Sequence, residues 1–305
     1  MSDLLAIGEA LIELNQPSEG APFVQGFGGD TSNAMIAAAR LGADAAYFTA
    51  VGADAFGQAL TELWLKEGVD ASRIVVNGGA HTGLYFVTHG PEGHAFSYMR
   101  AGSAASRIGE PDLPVDRIRA TKILHASGIS QAISSSAADA VFAAIDVARG
   151  AKRLVSYDPN LRLKLWPLRR ARAIIHEAMK LCDIALPGLD DGLALTNLEE
   201  PDAIVDFYLR LGARVVVLKL GKAGAIAATG KKRERIAARP VAAVDATGAG
   251  DCFDGAFVTR LIAGDAPVQA ARYANAAAAM ATTGYGAVAP LPRHADVAAF
   301  LAKAA

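Results

Sequence analysis

The chain has 305 residues, 52% of them hydrophobic, and a formal net charge of −1. That length and apolar content suit one large α/β unit spanning 1–305, with an excursion, better than two equal domains. The near-neutral balance leaves no global electrostatic footprint for nucleic acid or an anionic membrane, so any anion binding must be local. Two cysteines, Cys182 and Cys252, have neither metal-ligand nor disulfide spacing. Gly8 and Glu9 interrupt the first apolar run, and no apolar stretch reaches the ~18 residues of a membrane span, so the cytoplasm is the expected compartment.

Short β-type runs alternate with helix-type segments, the pattern of a mostly parallel sheet with helices on both faces. A strand is predicted at Leu4–Gly8, then a Gly/Pro-marked excursion over about 11–27, a helix at Thr31–Leu41, a strand at Ala45–Ala50 and a helix at Phe56–Lys66. A second excursion covers about 82–100. Strands at Lys122–Ala126, Leu154–Tyr157, Ile184–Leu186 and Val215–Lys219 then alternate with helices at Ala137–Ala148, Arg169–Lys180 and Ala203–Leu211. Apolar helices at Cys252–Ile262 and Val268–Ala281 follow. Both excursions look like antiparallel strands, with turns at Pro17–Gly20 and Gly90–Gly93. They predict one small sheet standing off the core, as a lid over a cleft or as ordinary surface hairpins.

Two stretches carry chemistry. In Asp245-Ala-Thr-Gly-Ala-Gly-Asp251, the small residues Gly248, Ala249 and Gly250 let backbone N–H groups approach an anion, and the following helix points its positive end at the same spot. Asp251, in the first helical turn, either caps that helix or takes a proton from a hydroxyl attacking a phosphoryl group. Near the N-terminus, Gly28-Gly29-Asp30-Thr31-Ser32-Asn33 opens another helix. Paired glycines admit a ligand, and Asp30 and Asn33 offer hydroxyl-binding groups, although Asp30 or Thr31 also suits a simple N-cap.

Together the Gly-Gly-x-x-x-Asn entry at Gly28–Asn33 and the Gly-Ala-Gly-Asp cradle at Gly248–Asp251 resemble the two signatures of the ribokinase-like (PfkB) carbohydrate kinases, over essentially the whole chain. The resemblance implies a three-layer α/β/α core with a small antiparallel β lid, and an ATP-dependent sugar kinase. Asp251 would be the base and the Gly248–Gly250 amides the anion hole. It further implies that Lys219, Gly221 and Gly224 form the turn beside ATP, that Asn275 lies near the adenosine, and that Asp245 and Thr247 hold a monovalent cation such as K⁺ with carbonyls of Thr283–Ala287. Mg²⁺ is implied through the ATP phosphates. One departure stands out: the family's Asn-x-x-Glu is here Gly188-Leu-Asp190-Asp191, so Asp191 reaches the metal only through water.

For the acceptor, Arg100 and Arg162 are unusual in a neutral sugar site, because arginine forks recognise carboxylates. Thr82–Phe86, Phe96–Ser106 and Asp158–Trp166 look most like the 2-keto-3-deoxygluconate kinases, which implies a sugar-acid pocket of Gly29, Asn33, Tyr85, Tyr98, Arg100, Asn160 and Arg162. Fructokinases share the arginines but usually follow the lid Arg with Pro-Ser-Ala-Asp, where this chain has Ala101-Gly-Ser-Ala-Ala105. A fructokinase, or a non-catalytic sugar- or nucleotide-binding regulator, is the alternative. No Gly-x-Gly-x-x-Gly follows the first strand, which argues against a dinucleotide enzyme. The resemblance also implies a homodimer or larger homo-oligomer.

Overall fold

The structure, a computed structural model, describes residues 2–90 and 93–303. The middle of the turn expected at Gly90–Gly93, Pro91 and Glu92, lies outside the described residues. The strands are β1 (Leu4–Ile7), β2 (Leu11–Asn15), β3 (Val24–Gly28), β4 (Ala45–Phe48), β5 (Ala50–Gly52), β6 (Val75–Asn77), β7 (Leu84–Gly90), β8 (Gly93–Met99), β9 (Ile123–Ser127), β10 (Leu154–Asp158), β11 (Ile184–Ala185), β12 (Val215–Lys219), β13 (Ala225–Thr229) and β14 (Arg233–Ile236). The helices are α1 (Asp30–Arg40), α2 (Ala55–Glu67), α3 (Val115–Ala120), α4 (Gly128–Ala132), α5 (Ser135–Gly150), α6 (Leu168–Leu181), α7 (Leu189–Thr196), α8 (Pro201–Leu211), α9 (Ala249–Ile262), α10 (Pro267–Ala281) and α11 (His294–Ala302).

Eight strands form the main sheet in the order β14-β13-β12-β11-β10-β9-β1-β4, parallel from β12 to β4 and antiparallel at the β13–β14 edge. Both faces are covered, which is why β1, β4 and β12 read as nearly continuous apolar runs. Successive residues of β1 feed opposite cores: Leu4 and Ala6 join the layer of α1, α9 and α10, whereas Leu5 and Ile7 join the layer of α5, α6 and α8. Helix α6 turns Ala171, Ile175, Ala178 and Met179 to that second core at helical spacing. Chain connections run from β1 out to β4 and then back across to β9, so the sheet reverses direction beside β1. Such a switch point opens a crevice at the carboxyl ends of the strands.

The predicted strand at Ala45–Ala50 is split, because after Thr49 the chain leaves the main sheet and β5 pairs with β6 instead. Each excursion forms an antiparallel hairpin, β2 with β3 and β7 with β8. The hairpins join through a parallel pair, β2 with β7, into one four-stranded sheet. Both first strands leave the core and both second strands return to it, so the two outgoing strands lie side by side in the same direction.

Helices α1 and α9 pack closely enough that a Cβ on Gly255 would fall 2.2 Å from the Ala34 carbonyl oxygen. Only glycine permits that approach. It brings the start of α1, with Asn33, against the start of α9, with Asp251. Among the described residues, no helix is long and apolar enough to cross a membrane.

Candidate active site

An open cleft of about 1020 Å³ lies at the carboxyl ends of the parallel strands and runs beneath the small sheet. Its floor is the start of α9. Gly248, the N-cap, takes the left-handed conformation at φ 75°, and no side chain caps the helix. Asp251 is therefore free of the capping role its position suggested. Its carboxylate instead accepts a hydrogen bond from Asn33 Nδ2 at 2.8 Å. Burial, with the neighbouring charges of Asp30 and Asp158, pushes its pKa up to about 7, against the opposing pull of Asn33 and Lys219. A carboxyl so tuned is suited to accept a proton near neutral pH.

Of the three amides expected to cradle an anion, one already has a partner within the chain. Ala249 N–H donates to the Ala246 carbonyl at 3.2 Å, and Ala249 does not line the cleft. Gly248 and Gly250 do line it. First-turn amides, here those of Gly250 and Asp251, have no carbonyl one turn back within the helix, which leaves them available to an anion.

At the start of α1, Gly29 and the buried Asp30 and Asn33 face the same space. Asp30 accepts from Asn160 Nδ2 at 3.0 Å. Burial raises the Asp30 pKa despite a hydrogen bond from Ser127. Asn160 has φ 34°, a conformation held by that bond and by its own N–H donating to Asp158 Oδ1 at 3.2 Å. Arg162, two residues on, is exposed at the cleft wall and donates to the Leu161 carbonyl at 2.9 Å.

From the small sheet, Tyr85 and Tyr98 hang over the cleft with ring centroids 5.6 Å apart. The Tyr85 hydroxyl donates to Glu13, and burial together with that carboxylate raises its pKa. Arg100 is also at the cleft, but its guanidinium is paired with Glu9, which accepts a further bond from Ser103 at 3.0 Å. Burial raises the Glu9 pKa and the Arg100 charge opposes it. Arg100 is thus an already neutralised cation rather than a free fork.

Where the nucleotide is expected, Lys219 ends β12, and the Gly221–Ala223 turn leads into β13. Lys219 and Gly221 line the cleft, but Gly224 does not. A Cβ on Gly224 would fall 1.9 Å from the Ile236 carbonyl oxygen, so its motif position serves the approach of β14. Asn275 is likewise set apart from the cleft lining: buried in α10, it donates to the Ala237 carbonyl at 2.8 Å. Asp191 lies in the cleft near Asp158, its pKa pushed up to about 6 by burial and that neighbouring charge.

Asp245 accepts from Thr247 N–H at 2.9 Å and Thr247 Oγ1 at 2.7 Å, and from Gly286 N–H at 2.9 Å. It therefore joins the stretch before the cradle to the Thr283–Ala287 loop. The Asp245 carboxylate and Thr247 hydroxyl are oxygen donors of the kind a hard cation takes. Among the described residues no group of three or more His, Cys, Asp or Glu could hold a metal ion. A cation carried largely by ATP phosphates needs only one or two carboxylates from the protein, and Asp191 is a carboxylate within the cleft.

Two acidic residues escape the sequence reading, and a third is only part of it. Glu9 reads as an interruption of an apolar run, Asp254 lies unremarked inside the apolar helix Cys252–Ile262, and Asp158 reads as the start of the cleft-wall segment without its contact to Lys219. The available signal for Asp254 was its spacing, three residues after Asp251 and so on the same helical face.

A family model described as pfkB family carbohydrate kinase matches residues 1–294. The chain is 35% identical over 308 residues to a 2-dehydro-3-deoxygluconokinase of Thermoproteus tenax, covering 97% of this chain and 94% of that one. It is 32% identical to the Bacillus subtilis (strain 168) protein of the same name, over 98% and 95% of the two chains. It is also 32% identical to Fructokinase-1 of Oryza sativa subsp. japonica, over 96% of each. Among solved structures, a double mutant of Vibrio cholerae O395 fructokinase with fructose, ADP and potassium ion aligns with TM-score 0.89 at 28% identity, over 99% of this chain and 98% of that one. A protein described as a ribokinase II from E. coli, solved with ATP and Mg²⁺, aligns with TM-score 0.92 at 27% identity, over 99% and 100%. The fold is ribokinase-like. Its whole-length sequence match adds the chemistry: the chain belongs to the pfkB family of carbohydrate kinases, a sugar kinase that transfers phosphate to an alcohol.

Proposed function

We propose that the acceptor is 2-keto-3-deoxygluconate and that its terminal hydroxyl takes the γ-phosphoryl group of ATP, giving the 6-phosphate. The observation that carries this reading is that the Asp251 carboxyl, at the start of α9, and the Arg162 guanidinium line the same cleft. In this account Asp251 accepts the hydroxyl proton as the oxygen attacks. The Gly250 and Asp251 amides, with Gly248 shaping the loop, receive the charge of the transferred group. Gly29, Asp30, Asn33 and Asn160 hold sugar hydroxyls, Tyr85 and Tyr98 cover the ring, and Arg162 pairs with the sugar carboxylate. Gly221 borders the nucleotide.

Mg²⁺ on the ATP phosphates supplies charge neutralisation when bound, and Asp191 is the carboxylate suited to orient it through water. Asp245, Thr247 and the carbonyls of Thr283–Ala287 would hold a monovalent cation. The whole chain acts as one kinase unit, with the small sheet as a lid that excludes water. Phe23, Val24 and Met99 leave apolar area exposed on that sheet, which suits a homodimer built through it.

One observation favours a second reading. Because Glu9 already neutralises Arg100, the cleft has less positive charge than its two arginines suggest, which suits a neutral ketose such as fructose. ADP release measured with the keto acid, fructose and ribose separates the two. The proposal predicts kcat/KM at least tenfold higher for the keto acid. Equal or higher kcat/KM for fructose would overturn it in favour of the ketose.

A further inference from the structure

Beside the cradle lies a largely buried cluster that the proposed chemistry does not use directly. Asp254, one turn after Asp251 on α9, is 1% exposed. Both its oxygens lie on the Lys219 ammonium, at 2.9 and 3.0 Å, and Asp158 Oδ2 lies 3.0 Å from the same nitrogen. Three elements, β10, β12 and α9, therefore meet on one nitrogen. An ammonium has three donors, and these contacts occupy them. The nitrogen also stands close to the cradle, 3.8 Å from where a Cβ on Gly250 would fall.

Two carboxylates around one ammonium would leave a net negative charge in a buried place, an arrangement that favours sharing a proton. Burial raises Asp254 well above the ordinary carboxyl range. Asp158, although burial alone would raise it, is held low by the Lys219 charge. A proton held on Asp254 can be donated to Asp158 while Asp254 accepts from Lys219. The result is a nearly neutral, fully hydrogen-bonded knot rather than a stray charge.

We propose that Asp254 is a positioning residue for phosphoryl transfer: with Asp158 it pins the Lys219 ammonium beside Gly250 and so fixes the start of α9. This rests on the reading of Asp251 and the cradle as the reacting centre. Asp254 touches neither sugar nor nucleotide in that reading, and its effect passes through Lys219. The sugar wall meets the cluster at Asp158, whose Oδ1 accepts from Asn160 N–H at 3.2 Å while its Oδ2 accepts from Lys219.

The test compares Asp254→Leu, Asp254→Asn, Lys219→Met and Asp251→Asn in the full chain, with kcat and the sugar KM measured at saturating ATP and folding checked by thermal unfolding. Asn can accept from Lys219 and donate to Asp158 as a protonated Asp254 does, whereas Leu can do neither. Asp254→Leu should lower kcat on the order of 10²-fold while the sugar KM changes less than about threefold, and Asp254→Asn should recover most of that loss. Lys219→Met should reproduce the split, and it decides the matter if the Leu variant does not fold. A folded Leu or Met variant with wild-type kcat, or one whose loss lies in the sugar KM alone, overturns the positioning role. An Asn variant no better than Leu also overturns it. Retained turnover in Asp251→Asn would instead overturn the reading on which the proposal rests.

Discussion

The guanidinium of Arg100 is paired with the carboxylate of Glu9, and the two side chains are only 12% and 1% exposed. A buried pair costs stability when one member is removed, because the other is left charged and unpaired. Arg100→Ala should therefore destabilise the protein by about 3–5 kcal/mol in thermal unfolding. Its kinetic effect should fall on the keto acid and on fructose alike.

Arg162 has no such carboxylate partner among its recorded bonds, only the Leu161 carbonyl. Its loss should remove a charge-assisted contact worth about 1.5–3 kcal/mol, so Arg162→Ala should raise KM for the keto acid roughly 10–100-fold. The KM for fructose should change less than about threefold, a contrast read directly from parallel saturation curves.

Proton acceptance by Asp251 requires the ionised carboxylate, and its pKa is about 7. On the acid side kcat/KM should fall about tenfold per pH unit below that value and level off above it. Asn33 donates to the ionised form, so Asn33→Ala should move the limb to higher pH. Stability runs the other way. The folded-state pKa lies above the ordinary 3.8, so from about pH 4 to pH 7 the folded protein holds the extra proton and loses stability as pH rises. Asp251→Asn should accordingly unfold at a higher temperature than the parent at pH 8, with a smaller difference at pH 5.

Much of this was legible in the chain. The alternation of strand and helix patterns gave the parallel sheet, and the two glycine-rich entries named Asn33 and Asp251. Their hydrogen bond was not legible, since it depends on α1 meeting α9 at Gly255. Ion pairing was hidden for the same reason: Arg100 reads as an open fork until Glu9 is seen beneath it. Asn275 and Gly224 match motif positions, yet here their contacts are to the Ala237 carbonyl and the β14 approach. Edge strands β13 and β14 went unnamed because Ala-rich and charge-rich runs carry little β signal.

Gly248 holds φ 75°, and a Cβ there would fall 2.8 Å from the Ala287 carbonyl oxygen. Gly248→Ala must either strain the backbone or push the loop away, a cost of about 1–3 kcal/mol. Because the cradle amides would shift with it, kcat should fall on the order of 10²-fold at saturating sugar and ATP.

Asp191 is the cleft carboxylate assigned to Mg²⁺ through water. Asp191→Ala should raise the Mg²⁺ concentration for half-maximal rate roughly 10–100-fold, measured at fixed ATP. An unchanged Mg²⁺ requirement would remove Asp191 from the site.

The central claim is that Asp251 takes the proton as phosphate passes to the sugar. Its most direct test is turnover of Asp251→Asn under saturating ATP and keto acid, with folding verified. The account predicts a loss of roughly 10²–10⁴ in kcat with little change in either KM. Near-normal turnover would contradict it.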